Sequence, residues 1–160
     1  MHRLTALIAT ALVVSGLAAA SATAAPDETV IRVLEISNHA ADHFVDQAGN
    51  DRPDAGDVFL TTSTLYAWKG VTRGARVGRI EIMCTFAGSG FAAAHCMATA
   101  FLPGGKLQLA GFVLFSESGT VVRVPIVGGT GRYSGAHGVF ASRSFRHSDN
   151  SADVFRFTTS

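Results

Sequence analysis

The chain has 160 residues, of which 48% are hydrophobic and 16% charged, and its 17 Gly far outnumber its 4 Pro. These values fit one compact domain and exclude a disordered or collagen-like chain. The 13 Lys and Arg nearly balance the 12 Asp and Glu. No basic surface is therefore expected, and nucleic acid and anionic membranes are excluded as partners.

Residues 1–24 are expected to be a secretory signal peptide. A basic start precedes the apolar stretch Leu4–Ala20, and Ala22-Thr23-Ala24 has the small-x-small pattern of a signal peptidase site. A membrane anchor is the alternative, but 17 apolar residues fall short of the ~20 that span a bilayer. Residues 25–160 are therefore expected to form a single domain that is secreted to the extracellular space and does not bind membranes.

The mature chain offers extended segments separated by turns, and no window keeps the three-four spacing of a long helix. Short turns separate most of them, including one at Gly128–Gly131, whereas the acidic loop 38–56 is long. Eight strands are predicted: Thr29–Ser37, Asp57–Trp68, Val77–Phe86, Ala93–Leu102, Lys106–Phe115, Val121–Val127, Gly138–Arg146 and Asp153–Thr159.

Short connections between consecutive strands indicate an all-β, up-and-down antiparallel sheet. Closing eight strands into a β-barrel removes exposed edges and leaves an interior that is filled by side chains or holds one small ligand. A two-sheet sandwich is the competing architecture.

Cys84 and Cys96 lie in two of these strands, on either side of a Gly-Ser-Gly turn. In an exported domain such a pair is more often a disulfide than a metal site, with two buried free thiols as the alternative. If the strands pair antiparallel with Cys84 opposite Cys96, Ile82 faces Ala98 and Met83 faces Met97. Large residues then oppose small ones on one face, as close packing requires.

The densest motif is the glycine-rich segment Pro125–Gly138, which contains Gly128-Gly129-Thr130-Gly131. It does not fit a dinucleotide fingerprint, because Ser134 occupies the position of the third glycine and no helix follows. It does not fit a phosphate loop either, because no Lys-Ser or Lys-Thr follows the glycines. A tight corner between strands, where glycine permits close chain approach, is the better interpretation.

With three earlier segments, this corner resembles dirigent and allene oxide cyclase-like proteins. The segments occur in the order seen in that family, and the resemblance covers about residues 54–140. They are Gly56-Asp57-Val58-Phe59 with Leu65-Tyr66, Val77-Gly78-Arg79, and Phe101–Gly111.

The resemblance implies an eight-stranded antiparallel barrel, commonly a homotrimer, with an apolar cavity and no cofactor. Plant allene oxide cyclases close a ring on a fatty-acid epoxide, and dirigent proteins steer the coupling of phenoxy radicals made by a separate oxidase. This sequence departs from the dirigent pattern, since Thr61-Thr62-Ser63-Thr64 follows Leu60 where acidic residues usually stand. No catalytic set is therefore transferred from the family.

Candidate chemistry comes from the face that would carry Arg79, Glu81 and Met83 opposite Met97, Thr99 and Phe101. If this face lines the barrel, Glu81 is the best ionisable candidate, because burial would raise its pKa or Arg79 would pair with it. The alternative is that the face is outside and both residues are solvated charges.

Four further features complete the candidates. Asp57 either caps the barrel mouth or begins a strand, Tyr66 lines an opening or only packs, and Arg143 offers a cation for a carboxylate-bearing ligand or is exposed. The loop 38–56 has His39 and His43 at helical spacing but no third fixed ligand. Its Asp46–Asp57 stretch lacks the Gly and Glu of a calcium loop. A flexible acidic lid without metal is expected.

These observations lead to three hypotheses. The first is a secreted, cofactor-free barrel that binds a small lipophilic or phenolic molecule and directs its stereoselective cyclisation or coupling, as an isomerase or a dirigent-like protein. The second is a non-catalytic carrier that uses the same cavity. The third is a structural barrel whose interior is packed solid, which cavity volume would distinguish.

Overall fold

The computed structural model describes residues 27–70, 72–89, 93–115, 121–146, 148 and 150–160. The predicted signal peptide lies outside these residues. Within them no helix is long and apolar enough to cross a membrane. A 3-10 helix spans His39–Ala41, and the strands are β1 Thr29–Ser37, β2 His43–Val45, β3 Val58–Lys69, β4 Thr72–Phe86, β5 Ala93–Leu102, β6 Gly105–Leu114, β7 Val121–Gly131, β8 His137–Ser144 and β9 Ser151–Thr158.

Eight of these strands close into an antiparallel barrel. Their order is β1-β9-β8-β7-β6-β5-β4-β3, and the ring closes because β1 also pairs with β3, from Val33 opposite Ala67 to Ser37 opposite Ser63. Among the residues that the structure describes, the short β2 pairs with the start of β3 and with no other strand. The predicted eight-stranded barrel is confirmed, and the sandwich alternative is wrong.

The predicted boundaries hold best where the strands are apolar and bounded by turns. β1 and β5 begin and end at the predicted residues. β7 differs, since it continues through the glycines predicted to form a turn. Gly128 and Gly129 pair with Gln108 and Leu107 of β6, and the chain turns only after Gly131. Backbone pairing here overrides the turn preference of glycine.

Residues 132–136 form the actual corner and close one end of the barrel. Gly131 and Gly135 have positive φ angles of 64° and 69°, which glycine adopts at little cost. Buried Tyr133 donates a hydrogen bond from its hydroxyl to the carbonyl of Pro103 at 3.0 Å, and its ring packs edge-on against Phe157 at 5.7 Å. The glycine motif therefore has a structural role, in forming a tight corner that packs Tyr133 into this end of the barrel.

The hairpin of β4 and β5 has the predicted register. Cys84 lies opposite Cys96, Ile82 opposite Ala98 and Met83 opposite Met97. The two cysteines form a disulfide with an S–S distance of 2.05 Å. Both sulfur-bearing residues are buried and belong to the hydrophobic core, so the bridge joins two neighbouring strands from inside the barrel.

Removing this bridge is expected to lower the free energy of unfolding by ~3 kcal/mol, because it closes a loop with a sequence separation of 12 and so restricts the unfolded chain. The variant Cys84→Ala/Cys96→Ala, compared with the oxidised protein in urea titrations, measures this difference. A thiol count on denatured, non-reduced protein should give no free thiol, and two reactive thiols would contradict the assignment.

Strand alternation decides which side chains face inward. In β4 and β5 the even-numbered residues point into the barrel, and equivalent positions in other strands continue the core. Its largest fully buried apolar side chains are Phe155, Leu65, Ile80, Leu107 and Val33. Ile80 also borders the free space of the barrel, which lies towards the end opposite Tyr133.

Candidate functional site

The barrel interior contains a cavity of about 240 Å³. It lies in the half where β1, β4, β6 and β8 end and β5, β7 and β9 begin. Most of its wall is apolar, and one side carries hydroxyl and carboxyl groups. Its lining residues are Glu35, Ile80, Ile82, Cys84, Cys96, Ala98, Leu109, Val113, Phe115, Val122, Val124, Phe140, Ser142, Ser144 and Ser151. The interior is therefore not packed solid, which removes the main argument for a purely structural barrel.

Two carboxyl groups lie close together near the polar side of this cavity, Glu35 in its wall and Asp153 outside its lining. Glu35 on β1 is 8% exposed, and Asp153 on the neighbouring β9 is fully buried. Ser151 connects them, since its hydroxyl donates to Oδ1 of Asp153 at 2.7 Å and lies 3.5 Å from Oε2 of Glu35. Oδ2 of Asp153 has no hydrogen-bond partner among the described residues.

Asp153 holds its proton more tightly than an ordinary carboxyl. Burial is the largest cause, followed by the charge and hydrogen bond of Glu35, and together they raise the pKa of Asp153 well above the usual 3.8. The hydroxyls of Ser142 and Ser151 oppose the shift less strongly. The pair therefore holds a proton on Asp153 at pH values where an exposed carboxyl is ionised.

No cation from the described chain balances this pair inside the barrel. Every Lys, Arg and His among the described residues is exposed. Burying a carboxylate costs free energy unless the charge is paired. Retaining a proton on Asp153 avoids this cost. The arrangement places a carboxyl group with a raised pKa, that of Asp153, next to the carboxyl group of Glu35 in largely apolar surroundings.

The face carrying Glu81 lies outside the barrel. Nε of Arg79 is 2.9 Å from Oε1 of Glu81, with about half of each side chain exposed, at 45% and 48%. The Arg79 guanidinium also stacks 3.9 Å from the ring centroid of Phe101. Of the two alternatives for this face, the structure has the exterior one with solvated charges, because the opposite face is apolar and buries without desolvating an ion pair.

Four of the candidate residues nevertheless share a surface groove. Glu81, Met83, Met97 and Thr99 line an open depression of about 770 Å³ on the outer face of the sheet, together with parts of β2, β3, β6 and β7. Met83 and Met97 are substantially exposed, as are two neighbours in the groove, Leu60 and Val127. A ligand-binding or catalytic role for the four residues stays a prediction, and it concerns this outer groove rather than the cavity.

The remaining candidates lie apart from both places. Buried Asp57 accepts hydrogen bonds at its carboxylate from the backbone N–H groups of Gln47 and Asp54, each at 2.8 Å, and so anchors the acidic loop where β3 begins. Tyr66 is half-buried beneath the guanidinium of Arg73, 4.8 Å from its ring centroid. Arg143 is exposed on β8. Their assigned roles at a ligand site stay predictions.

The acidic loop contains more structure than predicted. Its 3-10 helix and β2 lie along β3, and Thr61 donates a hydrogen bond to Asp42 that lowers the pKa of this carboxyl. His39 contacts Asp42 at 3.0 Å. Phe44 of β2 packs against Phe86, which packs in turn against Phe115 of the cavity wall. The loop thus lies beside the end of the barrel that contains the cavity.

Sequence reasoning missed Glu35 and Asp153, although the pattern contains a signal for each. On β9, Ser151, Asp153, Phe155 and Phe157 alternate with other residues and so share one face. On β1, Glu35 follows Ile31 and Val33 at the same two-residue spacing. A carboxylate in phase with buried apolar residues predicts an interior acid, provided that the inward face is known.

Three solved structures share this architecture at low sequence identity. A pyocyanin demethylase is 18% identical, covers 80% of this chain and 99% of its own, and has a TM-score of 0.63. A pterocarpan synthase dirigent protein is 17% identical, with coverages of 89% and 97% and a TM-score of 0.65. The Diels–Alderase AbmU from Streptomyces koyangensis is 18% identical, with coverages of 86% and 72% and a TM-score of 0.64. These likenesses show a common fold.

The sequence itself identifies the family. No curated protein sequence matches the chain, but residues 37–155 match the family described as allene oxide cyclase barrel like domain. The matched range contains most of the barrel, from the end of β1 into β9, and the resemblance inferred from the glycine corner and the strand motifs is thereby confirmed. The chain belongs to the allene oxide cyclase barrel-like family.

Proposed function

We propose that this protein is a secreted barrel that binds a small lipophilic molecule in its interior cavity and directs its stereoselective cyclisation or coupling without a cofactor. The observation that carries the proposal is the largely apolar interior cavity, whose wall contains Glu35 and Ser151, with the buried Asp153 hydrogen-bonded to Ser151. The solved structures of similar fold include a pterocarpan synthase dirigent protein and a Diels–Alderase, and both names support a role in forming a specific product.

The cavity can contribute to such a reaction in two ways. Apolar walls hold a flexible molecule in one conformation and exclude water, which lowers the entropic part of the barrier. Glu35 lines the cavity and can interact with a polar group of the ligand, and Asp153, linked to it through Ser151, can supply a proton to this group of side chains. Asp153 recovers its proton when the product loses one, so no oxidant or reductant is consumed.

Product stereochemistry tests this function. The protein is incubated with two classes of substrate that give racemic products on their own: fatty-acid epoxides, and phenols coupled by an added oxidase. Chiral chromatography compares the products formed with and without the protein. The proposal predicts an enantiomeric excess in the presence of the protein. Asp153→Asn should lower the rate at which the favoured enantiomer forms at least tenfold, whereas Glu28→Gln, which removes an exposed carboxyl in the same way, should leave this rate unchanged. Binding without any change in product would instead favour the non-catalytic carrier.

Export and self-association complete the proposed function. The apolar stretch Leu4–Ala20 and the site after Ala24 support cleavage, so N-terminal sequencing of protein recovered outside the cell should begin at Ala25. The outer groove with exposed Leu60, Met83 and Met97 supports docking of further copies of this chain, and the family resemblance points to a homotrimer.

Introducing a charge into the outer groove is expected to dissociate the trimer. Met97 is 49% exposed in the single chain, and burying a glutamate there without a partner is costly. Sedimentation equilibrium should show a trimer for the wild-type protein and a monomer for Met97→Glu, with a dissociation constant raised at least a hundredfold. A monomeric wild-type protein at micromolar concentration, or unchanged association of the variant, would contradict self-association through this groove.

A further inference from the structure

We infer that the natural ligand of the barrel cavity is a compact aromatic compound that carries a positive charge. This inference rests on the proposed function, in that it takes the cavity to be the ligand site. It goes further by assigning the charge and the size of the ligand. Three observations carry it: the sign of the buried charge, the lack of an internal counter-ion and the dimensions of the cavity.

The charge argument begins with the carboxyl pair. Glu35 on β1 and Asp153 on β9 are linked through the hydroxyl of Ser151, which lies opposite Glu35, and serine hydroxyls are their polar neighbours. Every described cationic side chain is at the surface, and one oxygen of the fully buried Asp153 has no hydrogen-bond partner among the described residues. A cation placed beside the pair would balance its charge in surroundings of low dielectric constant, where such pairing is strong. An anionic ligand would add a like charge instead.

The size argument comes from the cavity. Its volume of about 240 Å³ lies below the ~300–1,000 Å³ of sites for drug-sized ligands. It suits a molecule of about two fused rings rather than an extended fatty chain. Phe115 and Phe140 provide aromatic walls and Ile80, Ile82 and Leu109 aliphatic ones, and aromatic faces attract cations as well as rings.

The pH dependence has a defined sign. Asp153 is flanked by Val33 on β1 and Ser142 on β8, and Glu35 by Leu65 on β3 and Ser151 on β9. The facing wall of β4, β5 and β6 contributes apolar side chains and the Cys84–Cys96 disulfide. Asp153, whose pKa is raised by burial, is the group of this interior that responds to pH above the usual range of an aspartate. Raising the pH through this raised pKa removes its proton and increases negative charge, so affinity for a cation should rise with pH.

Three isosteric probes test the inference by calorimetry: N-methylquinolinium as the cation, 1-methylnaphthalene as the neutral compound and 1-naphthoate as the anion. At pH 8 we expect the cation to bind at least tenfold more tightly than the neutral probe and the anion at least tenfold more weakly. At pH 6 cation binding should release protons, measured by repeating the titration in buffers of different ionisation enthalpy.

Glu35→Gln/Asp153→Asn should reduce the cation preference at least tenfold and keep affinity for the neutral probe. Glu28→Gln should change neither value.

The outcomes separate the inference from the proposed function. Equal binding of cation and neutral probe, or a preference that survives in Glu35→Gln/Asp153→Asn, would overturn the inferred charge and leave the cavity as a ligand site. Failure of all three probes to bind folded wild-type protein would overturn both. Circular dichroism of the double variant establishes that it is folded, and Glu35→Gln alone, expected to lose part of the preference, provides a second test.

Discussion

Replacing Asp153 with asparagine is expected to remove a large pH dependence from the stability of this protein. In the folded state burial raises the pKa of Asp153 well above 3.8, so the native protein holds a proton that the unfolded chain has lost. The stability associated with this proton is complete below the unfolded pKa and is lost as the pH rises through the folded pKa. The wild-type protein should therefore lose up to ~1.4 kcal/mol per pH unit relative to Asp153→Asn over this range.

Thermal unfolding of both proteins between pH 4 and pH 9 measures the effect. The difference in Tm should grow with pH by ~4 °C per unit, in favour of the variant, until the raised pKa is passed. Glu28→Gln provides the matched control, because this carboxyl is exposed and its loss should leave the pH profile parallel to that of wild type. If the dependence of Tm on pH for Asp153→Asn is also parallel to that of the wild type, burial does not hold a proton on Asp153.

Filling the cavity is expected to abolish ligand binding. Ala98 is an inward-facing residue of β5 that lines the cavity of about 240 Å³ and also borders the outer groove, and a phenylalanine ring on its inner side would occupy much of the ligand space. We expect Ala98→Phe to weaken the binding of 1-methylnaphthalene at least a hundredfold. The free energy of unfolding should fall by less than ~3 kcal/mol, because the added atoms enter existing space.

The control for this variant adds the same ring to the outside of the same strand. His95 is exposed on β5, and His95→Phe should leave the dissociation constant within twofold of the wild-type value. Calorimetric titrations of the three proteins compare the effects. If Ala98→Phe binds as well as wild type, the apolar probe occupies the outer groove instead.

The ring of strands was predictable because its signals are local. Apolar runs bounded by Gly and Pro turns located β1 and β5 to the residue, and the small and large residues around Cys84 and Cys96 fixed their register. The paired β2 could not be predicted, because the polar segment around His43 becomes extended only by hydrogen bonding to β3. In the same way, only tertiary pairing shows that Gly128 and Gly129 continue a strand.

The candidate site was predictable in kind but not in position. A mid-strand carboxylate inside a barrel was expected, and the structure provides this chemistry at Glu35 and Asp153 instead of Glu81. The reason is that a strand pattern defines two faces without saying which is inside. In β4 both faces contain large side chains, such as Ile82 and Met83, and only closure of the ring decides between them.

The account depends most on a protonated carboxyl inside the barrel, and carbon-13 NMR titration of the Asp and Glu carboxyl groups tests it directly. We expect one aspartate resonance to titrate well above the usual 3.8, to disappear in Asp153→Asn and to shift when N-methylquinolinium binds. If all aspartate resonances of the folded protein titrate near their usual pKa, the cavity holds no such proton, and the proposed chemistry of this site is wrong.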